Sequence, residues 1–212
     1  MGAVCEINQP GVRGFLHRPE GAGRDGLVLT HGASSDCRAA LLVAAAEALS
    51  AAGLCVLRCD LPFRQRRPRG PPSPSGAAAD RAGLRDAVGA LRALVPGRVF
   101  LGGHSYGGRQ ATMLAAEDPA VAAALLLFSY PLHPPGKRER MRTEHFPTLQ
   151  VPAVFVHGTS DPFASLEELQ EAVSLIPAPT RIIPVERAGH DLRRGRFDLA
   201  GLAAVLLEIG SR

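Results

Sequence analysis

The chain has 212 residues, of which 46% are hydrophobic and 21% are charged, and its formal net charge is +4. It contains 23 Gly, 18 Pro and no Trp. This composition excludes a disordered chain, a collagen-like chain and a small disulfide-rich scaffold. Single domains commonly run about 100 to 250 residues, so we expect one domain over residues 1–212.

The apolar segments and the N-terminal residues indicate neither membrane insertion nor export. The apolar segments over residues 39–46 and 121–128 have eight residues each, whereas a membrane-spanning helix needs about 20. The N-terminal residues lack the basic start and the apolar segment of a signal peptide. The chain has four cysteines, which are Cys5, Cys37, Cys55 and Cys59. Without an export signal these are predicted to be reduced thiols, so we expect a cytoplasmic protein.

Short β-rich runs alternate with helical periods along the first half of the chain. Pro10-Gly11 separates two weak strands, residues 3–7 and 12–17, that we expect to pair as a hairpin. A buried strand over residues 27–30 precedes a helix near residues 38–52, with Ser34, Ser35 and Asp36 as candidate N-caps. A strand over 54–59, an amphipathic helix from Leu84 to Leu94 and a strand over 98–102 follow.

The second half continues this alternation. We predict helices over residues 106–117, 165–175 and 197–209, and strands over 121–128, 152–156 and 181–185. Such an order is typical of an α/β fold, with a mostly parallel central sheet and helices on both faces. The loop over residues 130–151 has about 22 residues, too few for a helical cap domain of the usual kind. We therefore expect an open site.

Gly103-His104-Ser105-Tyr106-Gly107 fits the pattern G-x-S-x-G between a predicted strand and a predicted helix. In this turn the serine backbone is strained, and glycine two residues before and after it avoids Cβ clashes. The helix that starts behind Ser105 points free N–H groups at any negative charge that develops there. The pattern predicts a nucleophilic serine.

A serine hydroxyl needs an imidazole to take its proton and a carboxylate to orient that imidazole. Asp161 and His190 follow predicted strands and should lie at the same sheet edge as Ser105. The chain order Ser, Asp, His is that of an α/β hydrolase. Asp191 is a rival for Asp161, although adjacent residues usually point apart, and Asp60 is a further candidate acid.

The remaining polar positions near the predicted site have supporting roles. We assign the backbone N–H groups of Ala33 and Tyr106 to an oxyanion hole. Structural hydrogen bonds to the backbone are expected of three histidines, namely His31, His104 and His157. Surface or loop positions are expected of the other three, namely His17, His133 and His145. No set of His, Cys, Asp and Glu has the spacing of metal ligands, and no metal or organic cofactor is implied.

The segments HGA, GHSYGGR, HGTSD and AGHD, between residues 27 and 192, resemble the α/β-hydrolase family, in particular its small, lid-poor, dienelactone-hydrolase-like members. The segment SYPLHPPGKRERMRTEHF, followed by PAVFVHGTSD, is similar to the branch that contains testis-expressed protein 30 and the hydrolase-like subunit of the nonspecific-lethal complex. The resemblance implies Ser105 as nucleophile, Asp161 as acid and His190 as base. Dienelactone hydrolases proper use a cysteine as nucleophile, so their substrate is not carried over.

The expected function is a serine hydrolase that acts on carboxylic esters or related acyl bonds of small to medium substrates. The alternative is a hydrolase-like interaction or scaffold protein without turnover. The sequence leaves ester, thioester and amide substrates and the oligomeric state open.

Charge patterning suggests which ligands the site prefers. The predicted rim of the site carries a basic cluster, which consists of Arg64, Arg66, Arg67 and Arg69, joined by Lys137, Arg138, Arg140 and Arg142. A rim of one charge sign favours an anionic acyl substrate, although a merely solvated loop is the simpler interpretation. Only Phe63 accompanies the first cluster, so we do not expect nucleic-acid binding.

Overall fold

An eight-stranded sheet forms the centre of the structure, a computed structural model that describes residues 2–21 and 23–211. Its strands are β1 Val4–Gln9, β2 Val12–His17, β3 Gly26–Thr30, β4 Cys55–Cys59, β5 Val99–His104, β6 Leu125–Phe128, β7 Ala153–Gly158 and β8 Thr180–Val185. They are ordered β1-β2-β4-β3-β5-β6-β7-β8. The pairs β1–β2 and β2–β4 are antiparallel, and every other neighbouring pair is parallel. The predicted mostly parallel sheet is confirmed.

The antiparallel edge is the predicted hairpin. Pro10 and Gly11 form its two-residue turn, because Gln9 pairs with Val12. Gly11 has a φ of +80°, a conformation that glycine adopts without steric cost. The hairpin extends the sheet beyond β4, because β2 pairs with β4.

Helices cover both faces of the sheet, as predicted. They are α1 Ala40–Ala51, α2 Pro62–Arg66, α3 Ala77–Arg92, α4 Tyr106–Glu117, α5 Leu166–Val173 and α6 Gly201–Ile209. On one face α1 and α6 bury Leu42 and Leu206 against strand side chains such as Leu126. On the other face α3 and α4 bury Leu91 and Leu114. Strands β3 to β7 are thus buried on both sides, whereas the edge strand β8 is partly exposed, which explains the near-continuous apolar runs of the central strands.

Several predicted boundaries are wrong, and side-chain hydrogen bonds explain two of them. Helix α1 has Ala39 as N-cap without a side-chain bond, because Asp36 accepts the Arg38 N–H at 2.8 Å and closes an earlier turn. The predicted strand over 121–128 begins only at Leu125. Its first residue belongs instead to a 3-10 turn, Pro119–Val121, in which the Asp118 carboxylate accepts the Ala120 N–H.

The connection between β4 and β5 contains more helix than predicted. The short helix α2 begins directly after Leu61 and contains Arg64. A 3-10 turn, Pro74–Gly76, leads into α3, which begins seven residues before Leu84. The proline and arginine content of this segment gave no helical pattern in the sequence for α2. Tertiary packing of its buried residues, Phe63 and Arg64, nevertheless stabilises the helix.

Residues 130–151 form no cap over the carboxyl edge of the sheet. Apart from the 3-10 turn Phe146–Thr148, this segment contains neither helix nor strand. It packs on the body of the protein through Phe146, whose ring lies 5.3 Å from that of Tyr130 and 6.4 Å from that of Phe155. The site beneath is therefore open on one side.

Of the histidines expected at surface or loop positions, His17 is buried on strand β2, which corrects the prediction, whereas His133 lies in the predicted loop and is buried there. His17 Nε2 accepts a hydrogen bond from Arg58 Nε at 2.7 Å. His133 Nδ1 bonds the Pro134 carbonyl oxygen at 2.9 Å. These partners lie in other strands or on the backbone, where sequence spacing could not reveal them. None of the described helices has both the length and the apolar character needed to cross a bilayer.

Candidate active site

Ser105 occupies a strained turn between β5 and α4. Its φ is +50° and its ψ is −115°, a combination rare for a residue with a side chain. A Cβ atom added at Gly103 would lie 2.6 Å from the Thr30 carbonyl oxygen, and one at Gly107 would lie 2.6 Å from the His31 carbonyl oxygen. Both glycines are required by close backbone approach, as the sequence pattern predicted.

The structure brings Ser105, Asp161 and His190 together in one hydrogen-bonded chain. His190 Nε2 lies 2.8 Å from Ser105 Oγ, and His190 Nδ1 lies 2.8 Å from Asp161 Oδ2. Asp161 follows β7 and His190 follows β8, so the three side chains come from three loops at the carboxyl edge of the sheet. His190 thereby contacts Ser105, which lies 85 positions earlier in the chain, and Asp161, which lies 29 positions earlier.

The hydrogen-bond partners define the tautomer of His190. A carboxylate accepts hydrogen bonds, so Nδ1–H donates to Asp161 and Nε2 accepts from the Ser105 hydroxyl. The second carboxylate oxygen of Asp161 accepts the Phe163 N–H at 2.9 Å. The Asp161 side chain is fully buried, and each of its two oxygens accepts one of these hydrogen bonds. The imidazole is oriented to receive a proton from Ser105.

The side chains of His104 and Phe163 position His190: one bonds its backbone and the other packs against its ring. His104 Nε2–H donates to the His190 carbonyl oxygen at 2.8 Å. The Phe163 ring lies 4.2 Å from the His190 ring, at an interplanar angle of 31°. Burial lowers the pKa of His104 to about 4, which keeps this imidazole neutral at physiological pH. The predicted structural role of His104 is confirmed.

The other two histidines at the carboxyl edge of the sheet also bond the backbone. His31 Nδ1–H donates to the Gly32 carbonyl oxygen at 2.9 Å, and its Nε2 accepts the Leu61 N–H at 3.1 Å. Burial lowers the pKa of His31. His157 Nε2–H donates to the Ala164 carbonyl oxygen at 2.9 Å. These bonds confirm the structural roles predicted for both residues.

The two rival carboxylates have other partners. Asp60 accepts two hydrogen bonds from Arg13, at 2.8 and 3.0 Å, and one from the Cys37 N–H at 2.8 Å. Asp191 is exposed and accepts the Arg193 N–H at 3.1 Å. Asp161 is therefore the carboxylate that bonds the His190 imidazole.

The sequence model of the alpha/beta hydrolase domain matches residues 23–205. The chain belongs to the alpha/beta hydrolase domain family.

Solved structures share the fold at low sequence identity. TT1662 from Thermus thermophilus has a TM-score of 0.78 and 18% identity, covering 100% of this chain and 99% of its own. A dienelactone hydrolase from Anabaena variabilis has a TM-score of 0.73 and 22% identity, covering 98% and 95%. XC6422 from Xanthomonas campestris, described as an α/β serine hydrolase without lid, has a TM-score of 0.70 and 17% identity, covering 100% and 94%.

In this α/β hydrolase Tyr106 is the first residue of α4. The first N–H groups of a helix have no acceptor within the helix, so the Tyr106 N–H is available at the turn that carries Ser105. Its side chain is anchored elsewhere: the hydroxyl donates to Asp80 Oδ2 at 2.8 Å. Asp80 is fully buried, and its other oxygen accepts the Phe63 N–H at 3.0 Å. Burial and Asp80 both raise the pKa of Tyr106.

Ala33 lies across the cleft from α4, in the loop after β3. Arg64 holds this loop: its Nε donates to the Ser35 carbonyl oxygen at 2.9 Å and an Nη atom donates to the Ala33 carbonyl oxygen at 3.0 Å. The same guanidinium also bonds the carbonyl oxygen of Gly70. Arg64 is buried, which corrects the interpretation of this arginine as part of a solvated loop. It connects the Ala33 loop to the segment after α2.

Ser105 and His190 open into a cleft of about 630 Å³. Its walls are largely apolar and include Met113, Pro131 and Phe163. Of the eight basic residues predicted on the rim, only Arg142 lines the cleft. Arg66, Arg67 and Arg69 are exposed outside it.

Sequence reasoning assigned no role to two polar cleft residues that lie on one helix. They are Arg109 and Gln110, on α4. Their only signal was position, one turn of helix after Ser105. Within residues 2–21 and 23–211, no group of three or more His, Cys, Asp and Glu side chains is arranged to hold a metal ion.

Proposed function

We propose that this α/β hydrolase is a serine hydrolase that cleaves carboxylic esters or related acyl bonds, with Ser105 as nucleophile, His190 as general base and Asp161 as the acid that orients it. The observation that supports this most is the hydrogen-bonded chain from Asp161 through His190 to Ser105, with 2.8 Å at each step. The strained turn at Ser105 supports the same role, because it exposes the hydroxyl at a helix N-terminus.

The reaction follows from this geometry. Ser105 Oγ attacks the substrate carbonyl carbon while His190 Nε2 takes the hydroxyl proton. The N–H groups of Ala33 and Tyr106 stabilise the oxyanion, and loss of one such donor typically costs about 3 to 4 kcal/mol in the barrier. His190 then donates the proton to the leaving group, which departs and leaves an acyl ester on Ser105. Water, deprotonated by His190, attacks this ester and releases the acid.

The cleft supports substrates of small to medium size. A volume of about 630 Å³, without a cap above it, suits a short acyl group better than a long fatty chain, which needs a large enclosed apolar surface. The narrower sequence similarity, to the branch of testis-expressed protein 30, stays a prediction. We also propose a cytoplasmic location, supported by four free cysteines, of which three are buried.

A fluorophosphonate probe tests the nucleophile directly, because it reacts covalently with an activated serine. We expect labelling of the wild-type protein and none of Ser105→Ala. Ser34→Ala is the matched control, since Ser34 lines the same cleft and has no partner in the proposed chain; it should be labelled like the wild type. A folded wild-type protein that is not labelled would contradict the proposal and favour the scaffold function.

A substrate panel then separates the bond types left open. Nitrophenyl esters of two, four and eight carbons, with the matching thioesters and anilides, should show turnover that falls with chain length. Ser105→Ala should abolish each activity. Faster cleavage of the eight-carbon ester than of the shorter ones would contradict the size argument.

A further inference from the structure

Three residues whose side chains carry hydrogen-bond donors line the cleft that contains Ser105. Arg109 and Gln110 lie on α4, four and five residues after Ser105, which is about 6 to 8 Å along the helix axis. Arg142 reaches the cleft from the loop over residues 130–151. The proposed mechanism uses none of them.

Arg109 lacks a counter-ion in the part of the chain that the structure describes. Among the residues that the structure describes, no acidic side chain forms an ion pair with Arg109, and its Nε is buried without a hydrogen-bond partner. Two other half-buried arginines are paired with an acid: Arg13 bonds Asp60 at 2.8 Å, and Arg98 bonds Asp25 at 2.9 Å. A guanidinium with an unpaired buried donor needs an acceptor, because buried polar groups in proteins are hydrogen-bonded as a rule.

Gln110 presents a second unpaired donor. The side chain is fully buried, and its Oε1 accepts a hydrogen bond from Arg81 at 3.2 Å. Because a guanidinium only donates, this bond fixes which amide atom faces Arg81. The other atom, Nε2, is buried and has no partner in the described part of the chain. Gln110, which lines the cleft, therefore carries a buried donor without an acceptor among the described residues.

Arg142 adds a second positive charge. One of its Nη atoms donates to the Pro131 carbonyl oxygen at 3.2 Å, which holds the side chain against the cleft. Burial and then the positive charge of Arg109 lower the pKa of Arg142. Exposed Glu144 raises the pKa of Arg142, but it forms no ion pair with this arginine. Among the described residues, no carboxylate thus forms an ion pair with either of these two guanidinium groups.

We propose that Arg109, Gln110 and Arg142 bind a carboxylate on the acyl group of the substrate, so that the preferred substrates are half-esters of short dicarboxylic acids. The inference rests on the proposed hydrolase function of the same cleft. A carboxylate supplies the negative charge and the planar acceptors that two guanidinium groups and an amide N–H match. One turn of α4 separates this site from Ser105, which suits acyl groups of about four to six carbons.

Turnover of matched esters tests this subsite. Monomethyl glutarate and methyl pentanoate have acyl chains of the same length and differ in the distal carboxylate. We expect the wild-type kcat/KM to be at least about tenfold higher for the charged ester. Arg109→Gln and Arg142→Gln should each lower kcat/KM for monomethyl glutarate by about tenfold to a hundredfold and change that for methyl pentanoate by less than about threefold.

Arg66→Gln is the matched control, because Arg66 is exposed and does not line the cleft. Kinetics of both esters should be unchanged in this variant. Equal wild-type rates with the two esters, or equal losses on both in Arg109→Gln, would overturn the carboxylate site and leave the serine hydrolase intact.

A binding measurement keeps the two proposals separate. Isothermal titration of Ser105→Ala with monomethyl glutarate needs no turnover, and adding Arg109→Gln should weaken the affinity at least about tenfold. Should the wild type show neither turnover nor probe labelling, the hydrolase proposal fails, yet this titration still decides the subsite. Binding that is absent, or that does not depend on Arg109, would overturn it.

Discussion

Replacing Asp161 with asparagine tests how the hydrogen-bonded chain controls His190. Asp161 Oδ1 accepts the Phe163 N–H at 2.9 Å, and Oδ2 accepts from His190 Nδ1 at 2.8 Å. A backbone N–H can only donate, so the single oxygen of the introduced asparagine keeps the bond to Phe163 and its NH₂ group faces His190. Nδ1 must then accept, and the imidazole proton moves to Nε2. In that tautomer Nε2 donates to Ser105 and cannot take its proton.

The cost of the wrong tautomer is large. The same substitution in a serine protease triad lowers kcat about 10⁴-fold, equivalent to about 5.5 kcal/mol in the barrier. We expect Asp161→Asn to lower kcat for a short nitrophenyl ester by about 10³ to 10⁴-fold. Folding stability should fall by only about 1 kcal/mol, because both hydrogen bonds can be made. Steady-state kinetics and urea unfolding measure the two effects.

Asp191→Asn is the matched control for this prediction. Asp191 adjoins His190 in sequence, but its exposed carboxylate bonds Arg193 instead. Its kcat should stay within about twofold of the wild type, as expected for a surface substitution. The assigned tautomer of His190 is wrong if Asp161→Asn keeps more than about a tenth of the wild-type kcat, or if both variants lose activity equally.

Three further predictions concern the groups around the site. Gly107→Ala should destabilise the fold by about 1 to 3 kcal/mol and abolish probe labelling, since its Cβ would meet a carbonyl oxygen at 2.6 Å. Gly89→Ala, which meets nothing within 4 Å in α3, should instead stabilise it by up to about 1 kcal/mol in urea unfolding. Arg64→Gln should lower kcat about tenfold by freeing the loop after β3, whereas Arg66→Gln should leave ester kinetics unchanged. Acid should weaken folding, because His104 titrates at 6.5 when unfolded and at about 4 when folded. Neutral His104 contributes fully to the free energy of unfolding above pH 6.5. Below that pH the contribution should fall by up to about 1.4 kcal/mol per pH unit, down to pH 4. Urea unfolding of wild type and His104→Gln at pH 7 and 5 measures it, and equal pH dependence in both would contradict the assignment.

The α/β fold could be predicted from the sequence because its signals are local. Apolar runs of strand length and helical periods do not depend on distant contacts. Helix α4, Tyr106–Glu117, has the predicted bounds, since the turn at Ser105 begins it and Pro119 follows its end. The convergence of Asp161 and His190 also followed from topology, because the carboxyl ends of parallel strands meet at one edge.

What the sequence could not show were contacts made across segments. Asp80 appears as an ordinary acid in the first turn of a helix, yet it is fully buried between the Phe63 N–H and the Tyr106 hydroxyl. His17 has no partner nearby in the sequence, but Arg58 lies beside it on the neighbouring strand β4. Each pairing depends on which strands and loops become neighbours, a property of the whole sheet rather than of any short pattern.

The arginines illustrate why charge counts in the sequence are a weak guide to ligand binding. Arg64 contacts the loop of Ala33 and Arg109 lines the cleft, and neither forms an ion pair with an acid in the described residues. The donors of Arg64 are nevertheless occupied by four backbone carbonyl oxygens, so its charge is satisfied within the fold. Arg109 keeps a buried Nε that finds no acceptor among residues 2–21 and 23–211. The difference between a structural and a ligand-binding arginine therefore lies in the supply of acceptors, which only the folded chain determines.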